Sequence, residues 1–284
     1  MISDEASTIG VWKRKCTAVT ESRCIPSLEI KQTAMVNDTL DGYARRREIA
    51  AFVDLNFQTA LDVTGTPVSA AKRALRAERI ALLIENLDQI FAHDAPGPDF
   101  RIMEAGVWRG LSAYLITEWI RTRFAGWEGC GLTLVDSFEG LSPPRAEDMT
   151  ETESGPVYIQ SATGFSSNQD AVRASLAQAP QLEIYAGWIP PVLKSLPDAR
   201  CYGFVHLDTD LFEPTYSCLE FSLPRMVPGG AIMDDDYGSV LFPGVRKAWD
   251  LAAAQFGLDV EVLDTGQAVW RAPLTAEMRA REPC

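Results

Sequence analysis

Apolar residues along this chain keep two rhythms. Between Ser69 and about Phe91, the residues Ile80, Leu83, Ile84, Leu87, Ile90 and Phe91 recur at i, i+3, i+4 and i+7. That spacing predicts one buried helix face, with Ser69 placed to cap the helix. From Phe100 the rhythm changes to short apolar runs of strand length: Phe100–Ala105, Leu132–Val135, Leu182–Ala186, Tyr202–Leu207 and Ala231–Met233. Helical stretches lie among them, one carrying Tyr114, Ile116, Trp119 and Ile120, the others near Gln169–Ala179, Thr215–Phe221 and Val245–Phe256. Strand–helix alternation predicts an α/β fold with a parallel sheet covered by helices on both faces. Two closing runs, Leu258–Leu263 and Ala268–Arg271, flank Asp264-Thr265-Gly266-Gln267 and read as a hairpin that adds an antiparallel strand.

Two segments fall outside this rhythm. Residues 1–66 are sparse in apolar positions near the start, and a helix begins at Tyr43-Ala44-Arg45-Arg46-Arg47 and runs through Leu55. They read as an N-terminal extension, a lid or a dimer arm, ahead of a main domain over 67–284. Residues 137–168 carry Pro143-Pro144 and the acidic run Glu147–Glu153. A connection of that length inside a compact domain is either a solvated excursion or a functional loop, and a lid over substrate is the sharper reading.

Charge narrows the partners. The 284 residues hold 39 acidic and 26 basic side chains, a net charge of −13, which disfavours nucleic acid and anionic membranes. No apolar run approaches the length of a membrane helix and no secretory signal is evident, so a cytoplasmic protein is expected. Six cysteines without a C-x-x-C pair predict reduced thiols, and only two histidines leave little for a His-rich metal site or a Ser-His-Asp hydrolase.

Acids gather instead where the strands end. Glu104, Asp136, Asp208 and the run Asp234-Asp235-Asp236 all fall at carboxyl ends, the rim where such sheets bind ligands. The first turn, Glu104-Ala105-Gly106-Val107-Trp108-Arg109-Gly110, lacks the closely spaced glycines of a pyrophosphate site and carries a bulky Trp108. It suits a nucleoside ligand without phosphate, such as S-adenosylmethionine, with Asp136 placed for ribose hydroxyls; an ordinary tight strand–helix turn is the plainer alternative. Asp208 and Asp210 follow the fourth strand, and Asp234 comes 26 residues after Asp208. Converging oxygen ligands imply a hard cation such as Mg²⁺, whereas a single acid there could simply cap a helix. His206 reads first as a packed core histidine, and Trp188 equally as packing or as pocket wall.

The stretches IMEAGVWRGLSAYL, LVDSFEGL, the Gly187-Trp188 pair, HLDTDLFEPTYSCLE and PRMVPGGAIMDDDYGSVLFPGVRKAWD together resemble the macrocin O-methyltransferase family of bacterial natural-product sugar methyltransferases. Together with the helix before Glu104 they span about residues 70–271, and the resemblance places none of its motifs in the first 65 or so residues. The resemblance implies a seven-stranded, Rossmann-like class I methyltransferase fold, S-adenosylmethionine as donor, Mg²⁺, and a sugar hydroxyl of a glycosylated natural product or nucleotide sugar as acceptor, in a protein expected to be a homodimer. It implies Asp208, Asp235 and Asp236 as metal ligands. The cofactor contacts it implies are Glu104, Gly106, Trp108, Asp136, Ser137, Ser167, Asn168, Trp188 and Asp208. Leu211 stands where catechol-methylating relatives place a lysine, so Asp208 or Asp210 is the expected base. Thr209, Asn168 and Asp234 depart from the family's usual residues. Two rival readings are an aspartate-based phosphohydrolase, from the D-x-D of Asp208 and Asp210, and a non-catalytic cofactor-binding protein.

Overall fold

Residues 40–152, 155–158 and 162–274 are described in this computed structural model. Five strands form the parallel part of the main sheet. They are β1 (Arg101–Ala105), β2 (Leu132–Asp136), β5 (Glu183–Ala186), β6 (Tyr202–Leu207) and β7 (Met226–Asp234). The closing hairpin, β8 (Val260–Val262) and β9 (Ala268–Arg271), docks with β9 antiparallel to both β7 and β8. The sheet order is β5-β2-β1-β6-β7-β9-β8, the expected seven strands. A separate two-stranded hairpin, β3 (Thr150–Thr152) with β4 (Gly155–Val157), lies within the 137–168 segment.

Alternation sorts the strand side chains into two cores. Ile102, Phe204 and Ala231 face one side with α1 (Leu40–Thr64), α2 (Ala70–Ile90), α3 (Leu111–Arg123) and α4 (Gln169–Ser175). Met103, Val205 and Ile232 face the other, against α5 (Phe212–Ser222) and α6 (Pro243–Phe256). Strands buried on both faces read as continuous apolar runs, which is why β1, β2 and β6 were legible almost to the residue. β7 begins five residues before the expected strand. Pro228 and the positive-φ Gly229 disguise its first half as a turn, and its register with β6 shifts between Tyr202 and Phe204.

Residues 40–64, expected within an extension, form one long helix with a buried face. Ile49, Val53, Phe57, Ala60 and Leu61 enter the same core as α2 and α3. Asp88 of α2 secures the junction, accepting hydrogen bonds from Arg45 Nε (2.7 Å) and Trp119 Nε1 (2.9 Å). The role of residues 1–39 as lid or arm lies outside the described residues. Cys130 and Cys218 are free, but Cys201 is disulfide-bonded, against the expectation of reduced thiols throughout. No described helix is long and apolar enough to cross a membrane.

Candidate active site

The chain order of the strands reverses between β1 and β6, so the loops leaving their carboxyl ends diverge and open a crevice. A cleft of about 450 Å³ occupies that position, lined by Gly106, Trp108, Asp136, Trp188, Asp208 and Asp236 among others. Its floor is backbone against backbone. Asp208 N donates to Ala105 O (2.9 Å), and Gly106 adopts φ 86° where a Cβ would overlap the carbonyl of Asp208. Only glycine satisfies both demands. Trp108 (φ 48°), Phe138 (φ 58°) and Asp210 (φ 62°) are non-glycine residues in the left-handed region, and all three sit on rim loops. Such strain, about 1–3 kcal/mol each, persists where surrounding structure imposes it, commonly at functional sites.

The expected cofactor contacts divide. Gly106, Trp108, Asp136, Ser137, Trp188 and Asp208 line the cleft. Asp136 already accepts from Val107 N (2.6 Å), Trp108 N (2.7 Å) and Phe138 N (2.6 Å), clasping the two rim turns together. A carboxylate offers about four acceptor positions, so capacity for one hydroxyl remains. Ser137 Oγ donates to Gly140 O (2.9 Å) and shapes its own turn. Asn168 Oδ1 accepts from Ala171 N (2.9 Å) as the N-cap of α4, and Asn168 is not among the residues that line the cleft. Ser167 Oγ is buried and has no partner among the described residues. Glu104 does not reach the cleft. It lies fully buried opposite His206 in the β1–β6 register, its Oε1 3.1 Å from His206 Nδ1.

The three consecutive aspartates do three different things. Asp234, still on β7, accepts from Trp249 Nε1 of α6 (3.0 Å) and from Asp236 N (2.8 Å). Asp235 points to the opposite face. It accepts from Gln267 Nε2 (2.7 Å) and Arg76 Nη1 (3.1 Å), pairs with Arg79, and lies 3.3 Å from His206 Nε2. Asp236, past the strand end, turns to the cleft. Its carboxylate gathers with those of Asp208 and Asp210, ligand oxygens within 4.8 Å of one another. The group formed here is therefore Asp208, Asp210 and Asp236. Asp235 is drawn away by pleat alternation and by the cations of α2.

Electrostatics separates these acids. Burial, then the charge of Asp235, pushes Asp208 up to about 8 against the opposing pull of Arg76. Burial, followed by Asp236 and Asp208, raises Asp210 well above the usual carboxylate range. Burial also works against the Asp235 anion, but Arg79, His206 and Arg76 outweigh it and hold that carboxyl well below the usual range. Burial opposes the His206 imidazolium too, yet its bonds to Asp235 and Glu104 prevail and move it up to about 10. Asp234 is pushed up to about 7, chiefly by burial.

Arg76, Arg79 and Gln267 were missed in the sequence. Arg76 and Arg79 precede the apolar positions Ile80 and Leu83 by four residues each, so they border the buried face, which is the available signal. The 137–168 segment is docked over the second helix pair. Asp148 accepts from Phe212 N at the start of α5 (2.7 Å), and Lys247 Nζ of α6 donates to Glu147 O (2.6 Å). From this segment Phe165 enters the cleft wall between Trp108 and Phe242, ring centroids at 6.0 and 6.2 Å.

A seven-stranded sheet in this order, with an acid closing β2 and an acid cluster beyond β6 and β7, defines a class I methyltransferase. Comparisons agree. Residues 19–272 match the family described as macrocin-O-methyltransferase (TylF). An 8-demethyl-8-(2,3-dimethoxy-alpha-L-rhamnosyl)-tetracenomycin-C 4'-O-methyltransferase of Streptomyces olivaceus is 27% identical over 221 residues, covering 76% of this chain and 80% of that protein. A demethyldecarbamoylnovobiocin O-methyltransferase of Streptomyces niveus is 23% identical over 190 residues, covering 66% and 69%. The solved O-methyltransferase NovP shares the fold with a TM-score of 0.56 at 22% identity, covering 69% of this chain and 80% of its own. The chain belongs to the macrocin-O-methyltransferase family, and is accordingly an S-adenosylmethionine-dependent O-methyltransferase.

Proposed function

We propose that this enzyme methylates a sugar hydroxyl of a glycosylated natural product, with a hard divalent cation such as Mg²⁺ held by Asp208, Asp210 and Asp236. The acceptor class is supported by the two relatives, one named for methylating a rhamnosyl tetracenomycin and one for methylating demethyldecarbamoylnovobiocin. The observation that carries the reading is the gathering of those three carboxylates beside Gly106, Trp108 and Asp136 in one cleft. The donor set fits the ion. All ligands are carboxylate oxygens, and burial together with mutual repulsion raises Asp208 and Asp210 above their ordinary range, a condition that a bound cation relieves.

When bound, S-adenosylmethionine supplies a methyl on a sulfonium, and the cation lowers the pKa of a coordinated hydroxyl. The protein's own groups do the rest. Asp136 and the Gly106–Trp108 turn bind and orient the nucleoside end. Asp210 receives the acceptor's hydroxyl proton on a carboxylate oxygen. Asp210 suits that role because it faces the negative Asp236, which raises its affinity for a proton. Phe165, Trp108 and Phe242 line an apolar wall that excludes water, and the 137–168 segment serves as the acceptor-side lid.

Calorimetry with S-adenosylhomocysteine, with and without Mg²⁺, followed by methyl-transfer assays on a panel of glycosides read by mass spectrometry, tests the reading. Asp210→Asn is expected to lower kcat by roughly 10²–10⁴-fold while S-adenosylhomocysteine affinity stays within about twofold. Methylation of aglycones in preference to glycosides would overturn the acceptor class, and an active Asp210→Asn variant would overturn the base.

A further inference from the structure

Two arginines of α2 penetrate the acid cluster. Arg76 forks across it, donating from Nη1 to Asp235 Oδ2 (3.1 Å) and from Nη2 to Asp208 Oδ2 (3.4 Å). Arg79 Nη2 lies 3.4 Å from both Asp235 Oδ2 and Asp236 Oδ1 and donates to the Asp235 carbonyl. The groups around them are Asp208, Asp210, Asp235 and Asp236, with the Glu104–His206 pair behind Asp235. Both guanidiniums therefore offset carboxylate repulsion, the task a divalent cation would perform in the same cluster. They differ in freedom. Arg79 is fastened to backbone, whereas Arg76 holds only side chains and lines the cleft, its own side chain 23% exposed.

We propose that Arg76 is a built-in counter-cation that competes with the divalent cation for Asp208 and so sets the affinity of the site for metal. The proposal rests on the metal reading above. A guanidinium carries one charge and bridges two carboxylates that lie just beyond the ends of β6 and β7; a divalent ion that takes Asp208 meets that charge at close range and drives it off.

The experiment measures Mn²⁺ affinity by calorimetry on the full chain and on its Arg76→Gln and Arg76→Lys variants. Arg76→Gln is expected to bind Mn²⁺ roughly tenfold tighter, because a positive charge near a buried site has been removed, while Arg76→Lys stays near the wild type. Melting in EDTA against Mn²⁺ gives a second readout. Arg76→Gln should lose stability in EDTA and gain more from Mn²⁺ than the wild type does. A variant unfolded in EDTA but folded with Mn²⁺ supports the proposal; one unfolded in both overturns it, since a cation then cannot stand in for the guanidinium. Binding by the wild type that Arg76→Gln leaves equal or weakens overturns the counter-cation alone. Mn²⁺ bound by none of the three overturns the metal centre with it.

Discussion

At the scale of single residues, the site is a ledger of charges kept out of water. His206 is fully buried between Glu104 and Asp235, and both contacts favour its protonated form. With its folded pKa at about 10, above the ordinary 6.5, the folded state holds the proton more tightly than the unfolded chain. The stabilisation is therefore complete below pH 6.5 and drains away as pH rises towards 10. Chemical denaturation in EDTA should find the wild type more stable than His206→Asn near pH 6.5, with the gap shrinking by pH 9.5; a constant gap would mean that His206 is held neutral. The roles of Asp234, Asp235 and Asp236 illustrate what a string of like residues conceals. Each lies one pleat or turn from the next, and that step sends it to Trp249, to the α2 arginines, or to the cleft.

Among the elements, α1 and β7 depart most from their sequence appearance. α1 has a narrow apolar stripe at i, i+4, i+8, i+11 and i+12, from Ile49 to Leu61, diluted by charge on the other faces. Packing against α2 and α3 rather than its own composition makes it part of the domain. Phe57, 2% exposed, is a direct probe of that statement. Phe57→Ala is expected to lower global stability by about 3–5 kcal/mol in a single urea transition; a separate early transition would mean that α1 is an independent arm. β7 owes its extra length to pairing supplied by its neighbours. Gly229 N donates to Ala272 O (3.0 Å) and Ala272 N to Gly230 O (2.7 Å), bonds that carry the strand through Pro-Gly-Gly.

For the whole molecule, three separate layers meet over one cleft: the sheet rim, α2 from one core, and the 137–168 segment resting on the other. Asp148, 3% exposed and bonded to Arg145 N and Phe212 N, is the bolt of the last contact. Asp148→Ala is expected to raise the acceptor KM several-fold with S-adenosylhomocysteine affinity unchanged; equal weakening of both would make the segment part of the cofactor site. By itself the sequence determined the strand runs, the parallel sheet with its closing hairpin, the family, and acids at the correct rim. Those features follow from periodicity and from motifs only a few residues long, which neighbouring residues specify together. Tertiary structure alone decided that Asp210 joins Asp208 and Asp236, that Asp235 belongs to Arg76, Arg79, His206 and Gln267, and that Glu104 stays behind the cleft. The reason is physical. Residues 159 positions apart, such as Arg76 and Asp235, leave no mark on each other's sequence neighbourhood, and only the folded backbone sets the distance at which their charges act.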